Sequence, residues 1–294
     1  MTPVIELSKV TKMYGSSLGI KNVSLSVAPG NVFGFLGPNG AGKTTTISML
    51  IDLTRPTSGK IKIFGLDSIT NSFEIRSRVG FLAGDFALDK GLSGWQQLEY
   101  FGNLRGNFDK TYVRELAERL SCSLNRKIKT LSRGNKQKIG LISALMHKPE
   151  LLILDEPTDG LDPLVQVEFN KIISEHSRAG KTAFVSSHVL SEVQTICDQV
   201  AFIREGELIT SRSVSELSAG LPREVQIISS DRKLKAALGQ LSGFSIASYK
   251  DKVIEASYTG DINKLLSVLT RHKIDNLHVH EADLETIFMK FYEK

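Results

Sequence analysis

Continuous apolar runs separated by polar, glycine-containing stretches mark the first two-thirds of the chain. Val32-Phe33-Gly34-Phe35-Leu36 and Leu151-Leu152-Ile153-Leu154 carry no charge, and Thr182-Ala183-Phe184-Val185 reads the same way. Uninterrupted runs of this length belong to strands buried on both faces. Helical segments alternate with them, so residues 1–218 predict an α/β unit built on a largely parallel, helix-covered sheet. Between about 85 and 148 the pattern turns mainly helical. Val113, Leu116, Ala117 and Leu120 share one helical face, with Asp109 placed to cap it, and a further helix is predicted from about 134 to 147. This stretch is a helical insertion within the sheet unit.

After Gly220-Leu221-Pro222 the pattern changes. Strands are predicted at Val225–Ile228, Phe244–Ser248, Lys252–Ser257 and Ile274–Val279, with helices at Asp231–Leu241 and Ile262–His272. The order βαββαβ is ferredoxin-like, here with an added helix from about 283. Residues 224–294 therefore form a small α+β accessory domain.

A length of 294 residues accommodates two such domains with a core that needs no disulfide or metal. Only 8 prolines and 23% charged residues exclude a low-complexity chain. The net charge of +5 is mild and fits a mixed, solvated surface as well as an anionic partner. Cys122 and Cys197 show no metal or redox spacing and read as small buried hydrophobes. No apolar run approaches the ~20 residues needed to span a bilayer, and the N-terminus carries no signal-peptide pattern. The expectation is a cytoplasmic chain whose membrane role comes through a partner.

Gly37-Pro38-Asn39-Gly40-Ala41-Gly42-Lys43-Thr44 matches G-x-x-x-x-G-K-[ST] at every fixed position. Glycines let the backbone curl around phosphate so that successive N–H groups face its oxygens. The helix opening near Lys43 and Thr45 directs its positive end at the same anion. Lys43 adds a full charge, and the Thr44 hydroxyl suits Mg²⁺. The loop follows a buried strand and opens a helix, which is the context that phosphate binding requires.

Further along stand Leu131-Ser132-Arg133-Gly134-Asn135-Lys136-Gln137-Lys138, then Asp155-Glu156-Pro157-Thr158-Asp159-Gly160-Leu161-Asp162 directly after the Leu151 run, then Ser186-Ser187-His188. With the phosphate loop, these motifs resemble the ABC ATPase set in order and spacing, over roughly residues 4–215. The resemblance implies a P-loop NTPase fold with N-terminal antiparallel β elements, ATP as substrate and Mg²⁺ as cofactor. It implies that Asp155 holds the metal shell with Thr44, that Glu156 orients and deprotonates the attacking water, and that His188 contacts the γ-phosphate. Tyr14 matches the aromatic that stacks on adenine. Ser132, Arg133, Gly134 and Asn135 match the signature that caps ATP on a second protomer, and Asp162 lies in the loop linking the two sites.

Departures from the family pattern are equally legible. Arg133 stands where a glycine is common, either as a solvated charge or as an added phosphate contact. Asn135 keeps an amide on a shorter arm. Gly84 aligns with the usual glutamine that touches metal and water and senses the permease, which leaves Asp85 or no side chain in that role. Asp159 stands where serine or asparagine is frequent. Ser93 to Phe101 corresponds to the permease-facing stretch, although Trp95, Leu98 and Phe101 also read as a core stripe. The segment Glu281–Phe288 is similar to the tail of one exporter group whose multi-helix permease is a separate chain. His278 and His280 alternate on the last strand without metal-type spacing.

The resemblance implies a homodimer, or a pair of ATPase subunits, on the inner face of the plasma membrane beneath a permease encoded elsewhere. A nucleic-acid-handling ABC ATPase is disfavoured by the single phosphate loop and the lack of sustained heptads, so no nucleic-acid partner is expected. A non-catalytic nucleotide sensor, prompted by Gly84 and Asn135, is disfavoured by intact Lys43, Asp155, Glu156 and His188.

Overall fold

The computed structural model describes residues 2–106, 108–218, 222–231 and 233–280. It divides into two units, Met1–Ser213 and Val214–Lys294, a break slightly ahead of the boundary read at 218 because a short helix groups with the second unit.

A long antiparallel hairpin, β1 (Ile5–Tyr14) and β2 (Ser17–Val27), opens the first unit. β3 (Val32–Leu36) follows, buried at all five positions, and leads through the phosphate loop into α1 (Lys43–Leu50). β4 (Ser58–Ile63) and β5 (Leu66–Asp67) return to the hairpin and complete a sheet of order β2-β1-β4-β5. α2 (Ser72–Arg78) and β6 (Val79–Leu82) precede the helical insertion.

That insertion holds α3 (Gly94–Leu104), α4 (Lys110–Arg119) and α5 (Arg133–Leu145). Ser93 and Gln96 form a capping box at the start of α3. Asp109 caps α4 by accepting from Tyr112 N at 2.9 Å, and Val113, Leu116, Ala117 and Leu120 are buried together as their spacing requires. On α3, Leu98 is buried, while Trp95 is half-buried with its ring edge-on to Phe108.

The chain then forms β7 (Leu151–Asp155), α6 (Pro163–Arg178), β8 (Thr182–Ser187), α7 (Leu190–Ile196), β9 (Gln199–Arg204) and β10 (Glu207–Ser213). The second sheet runs β10-β9-β3-β8-β7-β6, parallel throughout except for the β10–β9 pair. Every residue of β7 and β8 is buried, which is why these runs lack the alternation of half-exposed strands. One apolar cluster joins both sheets to Ile47, Met49 and Leu50 of α1.

The second unit contains α8 (Val214–Ser218), β11 (Arg223–Ile228), α9 (Leu234–Gly239), β12 (Phe244–Lys250), β13 (Val253–Tyr258), α10 (Ile262–Leu269) and β14 (Asn276–His280). Its sheet order is β12-β13-β11-β14 with every pair antiparallel, the arrangement that a βαββαβ order produces when both crossovers pack on one face. Val225, Ile227, Leu234, Leu238, Ile254, Tyr258 and Leu265 form its core. His278 and His280 stack on β14, and among the described residues no three side chains are grouped to hold a metal. The helix expected from about 283 and the tail segment Glu281–Phe288 lie outside the described residues.

Cys122 and Cys197 are free thiols, and burial pushes the pKa of both up. Among the described residues, no helix is long and apolar enough to cross a membrane.

Candidate functional site

The carboxyl ends of β3, β8 and β7 lie side by side, and they lead into the phosphate loop, His188, and Asp155 with Glu156 respectively. β3 feeds the phosphate loop, where two glycines are sterically required. A Cβ on Gly42, at φ 109°, would stand 2.5 Å from Ile20 Cγ2, and one on Gly37 would stand 2.3 Å from Ile203 O. Lys43 is only 6% exposed; its Nζ donates to Gly37 O at 2.6 Å and Pro38 O at 3.3 Å. The loop thus wraps its own cation. Half-exposed Tyr14 joins Pro38, Asn39, Gly40, Gly42, Lys43, Thr44, Thr45 and Glu156 around a cavity of about 280 Å³, with Ala41 buried behind the loop.

β7 ends in Asp155, which is 2% exposed. Its Oδ2 accepts from Thr44 Oγ1 at 2.8 Å, and its Oδ1 accepts from Ser186 Oγ at 2.5 Å. Asp155 and Ser186 are direct cross-strand partners, so the parallel register itself places the hydroxyl against the carboxylate. Ser186 Oγ also accepts from Glu156 N at 3.1 Å.

Glu156 adopts φ 49°, a left-handed conformation uncommon for a residue with a Cβ. Its Oε2 accepts from His188 Nδ1 at 2.9 Å. Its buried Oε1 takes no aligned hydrogen bond, and its nearest cation is Lys43 Nζ at 3.2 Å. Lys43, Glu156 and His188 therefore form a continuous chain of polar contacts beside Thr44 and Asp155.

The signature residues stand apart from this cleft, whose lining includes none of Ser132, Arg133, Gly134, Asn135 and Asp162. Ser132 caps α5: its Oγ accepts from Asn135 N at 3.3 Å and from Asn135 Nδ2 at 3.1 Å. Gly134 presses on the neighbouring loop so closely that a Cβ would lie 2.4 Å from Gly160 O. Arg133 is 75% exposed and ion-pairs with Asp159. Asp162 caps α6 by accepting from Val165 N at 3.0 Å; that bond holds its carboxyl below the usual range, and Lys138 adds to the shift.

Gly84 follows β6 and faces the Asp155 carboxylate, since a Cβ there would be 3.2 Å from Oδ2. Gly84 thus offers no side chain to the Asp155 carboxylate, and Asp85 beside it is exposed.

Three contributors had no role assigned from the residues alone. Ser186 braces both carboxylate-bearing residues, Gln137 bonds the backbone at Glu156, and Glu192 accepts from Thr158 Oγ1 at 2.7 Å and Ser187 Oγ at 3.1 Å. The signal for Ser186 lay in its place at the end of a buried run beside that of Asp155.

Residues 20–159 match the family model described as ABC transporter. The chain is 36% identical to the bacitracin transport ATP-binding protein BcrA of Bacillus licheniformis, over 99% of this chain and 97% of that protein. It is 30% identical to the linearmycin resistance ATP-binding protein LnrL of Bacillus subtilis (strain 168), over 97% of each. Among solved structures, the ATP-binding subunit of an ABC transporter superposes with a TM-score of 0.67 at 26% identity, covering 73% of this chain and 91% of that one. A dimeric ATP-binding cassette in a post-hydrolysis state, bound to ADP and Pi, shares the fold with a TM-score of 0.65 at 24% identity, covering 71% and 98%. Similarity to BcrA and LnrL over nearly the whole length, on a chain that brings its phosphate loop, Asp155, Glu156 and His188 together, places it in the family of ABC transporter ATP-binding proteins, the ATPase subunits of those transporters.

Proposed function

We propose that two copies of this chain, or this chain and a related subunit, close around ATP beneath a permease carried on another chain, and that hydrolysis drives export. One observation carries the pairing: the phosphate loop and Glu156 line a cleft, Asp155 and His188 bond to Thr44 and Glu156 of that lining, and none of the chain's own signature residues lines it. A second protomer supplying Ser132 and the positive end of α5 completes the site.

Within the cleft, the backbone N–H groups of Gly40 to Thr44 and the Lys43 ammonium bind and orient the phosphates. Tyr14 offers a ring to the base. Glu156 accepts the proton of the attacking water, and His188 steadies the carboxylate through Oε2. The paired oxygens of Thr44 and Asp155 fit a hard divalent cation. Mg²⁺ held there supplies charge neutralisation for the phosphoryl group.

A groove of about 350 Å³ lined by Phe81, Phe86, Leu88, Phe101 and Leu104 opens beside the segment of Gly84. Its apolar lining supports docking of a permease segment on the inner face of the membrane. Full-length relatives named for bacitracin transport and linearmycin resistance support a place in antibiotic efflux. The second unit carries none of these motifs, and its role is accessory.

Glu156→Gln tests this reading. It keeps shape but cannot take the proton, so hydrolysis should fall about 10²–10⁴-fold while ATP binding persists. The variant should accumulate as an ATP-dependent dimer in light scattering, and adding Ser132→Arg should abolish that dimer. Parent-rate hydrolysis by Glu156→Gln, or a dimer indifferent to ATP, would sink the proposal.

A further inference from the structure

We infer that Gln137 is a positioning residue for ATP hydrolysis: its side-chain amide fixes the backbone turn that aims the Glu156 carboxylate. The inference rests on the function proposed above for Glu156.

Gln137 projects from α5, is 6% exposed, and spends its amide on two successive carbonyls. Its Nε2 donates to Glu156 O at 3.2 Å and to Pro157 O at 3.1 Å. A single donor group bridging consecutive carbonyls holds them pointing the same way. That constraint is needed here. Glu156 sits at φ 49° although it bears a side chain and precedes a proline, and a following proline biases its neighbour towards extended backbone. Such a conformation persists only where its surroundings over-determine it.

The surroundings do so from several sides. Ser186 Oγ accepts from Glu156 N, while Gln137 Nε2 and Asp159 N both donate to Glu156 O. Relaxation to an extended turn would carry the carboxylate away from Lys43 and His188, which hold its two oxygens. Gln137 also stands four residues past Arg133, on the helix capped by Ser132, so the turn at Glu156 is tied to the helix that bears the signature. Gln137 lines no part of the nucleotide cleft, so it acts through Glu156 and not on ATP itself.

Gln137→Met in the full-length chain tests the assignment, because it preserves length and removes the donors. Turnover of ATP should fall by about 10- to 100-fold, the size expected when a reacting group is misplaced by about an ångström, with KM for ATP unchanged. Combined with Glu156→Gln, the same substitution should cause no further loss, since the residue it positions is already disabled. Equal turnover in Gln137→Met and parent overturns the inference, as does a rise in KM that accounts for the whole effect. So does an additive loss in the double variant. Gln137→Glu, whose carboxylate repels both carbonyls at neutral pH, supplies a second reading if the Met variant fails to fold. A parent chain without ATP turnover overturns the proposed function and this inference with it.

Discussion

Arg133 and Asp159 form an ion pair between the first residue of α5 and the loop that follows Glu156. Each departs from the common family residue, and the structure joins the two departures. The pairing has an electrostatic reason: a cation at the first position of a helix opposes the positive end of the helix dipole, and the Asp159 carboxylate offsets it. Both side chains are exposed, so the pair is screened and easily opened. A double-mutant cycle of Arg133→Ala and Asp159→Ala, read by urea unfolding, should give a coupling under about 1 kcal/mol. Asp159→Ala should be the costlier single change, since it leaves the cation at the helix start without its counter-charge. A coupling several times larger would mean the pair is structural.

Lys43 is gripped by Gly37 O and Pro38 O and faces Glu156, so its charge is already fixed at the proposed phosphate site. In the parent, ATP at a hundred times its dissociation constant should raise stability by about 2.7 kcal/mol. Lys43→Ala should erase most of that gain while the nucleotide-free protein still melts cooperatively. Thermal unfolding with and without MgATP checks it, and an undiminished ATP-dependent shift would contradict the assignment of the loop.

Acid should weaken the first unit through two histidines. His147 donates from Nε2 to Val79 O at 3.1 Å, leaves Nδ1 buried and unpartnered, and is pushed down to about 4 by burial, with Arg105 adding. His176, beside Thr182 O, is also lowered to about 4, chiefly by burial. The folded state favours neutral rings, so the unfolded chain binds more protons between about pH 6.5 and 4. Stability is therefore complete above about pH 6.5 and is lost as pH falls through that window. Urea midpoints at pH 7, 6 and 5 should decline in the parent and decline less in His147→Gln/His176→Gln. A parent midpoint constant from pH 7 to 5 would refute this.

Much of the site was legible because its chemistry is local in sequence. The phosphate loop needs glycines at fixed offsets from Lys43 and Thr44. Likewise Asp155 and Glu156 are marked by the four apolar residues of Leu151–Leu154 running into two acids. The strands β3, β7 and β8 were legible for the same reason: burial on both faces leaves an unbroken apolar run. What stayed hidden were contacts whose partners lie far apart along the chain. Asp159 pairs with Arg133, 26 positions earlier, and nothing in the order of residues sets Gln137 against the backbone of Glu156 and Pro157.

The sequence by itself determined the phosphate loop, the acids that end β7, the helical insertion and the βαββαβ order of the second unit. Each is a short-range pattern imposed by steric or burial requirements within a few residues. Tertiary structure alone decided that Ser186 would bind both Asp155 and Glu156, because strand neighbourhood and register are settled by packing of the whole sheet. It alone decided the left-handed backbone of Glu156, a conformation no local preference favours and that converging hydrogen bonds from β8 and α5 sustain. It also decided that Gly84 would face Asp155 with no side chain to offer, since a missing group becomes meaningful only once its neighbours are in place.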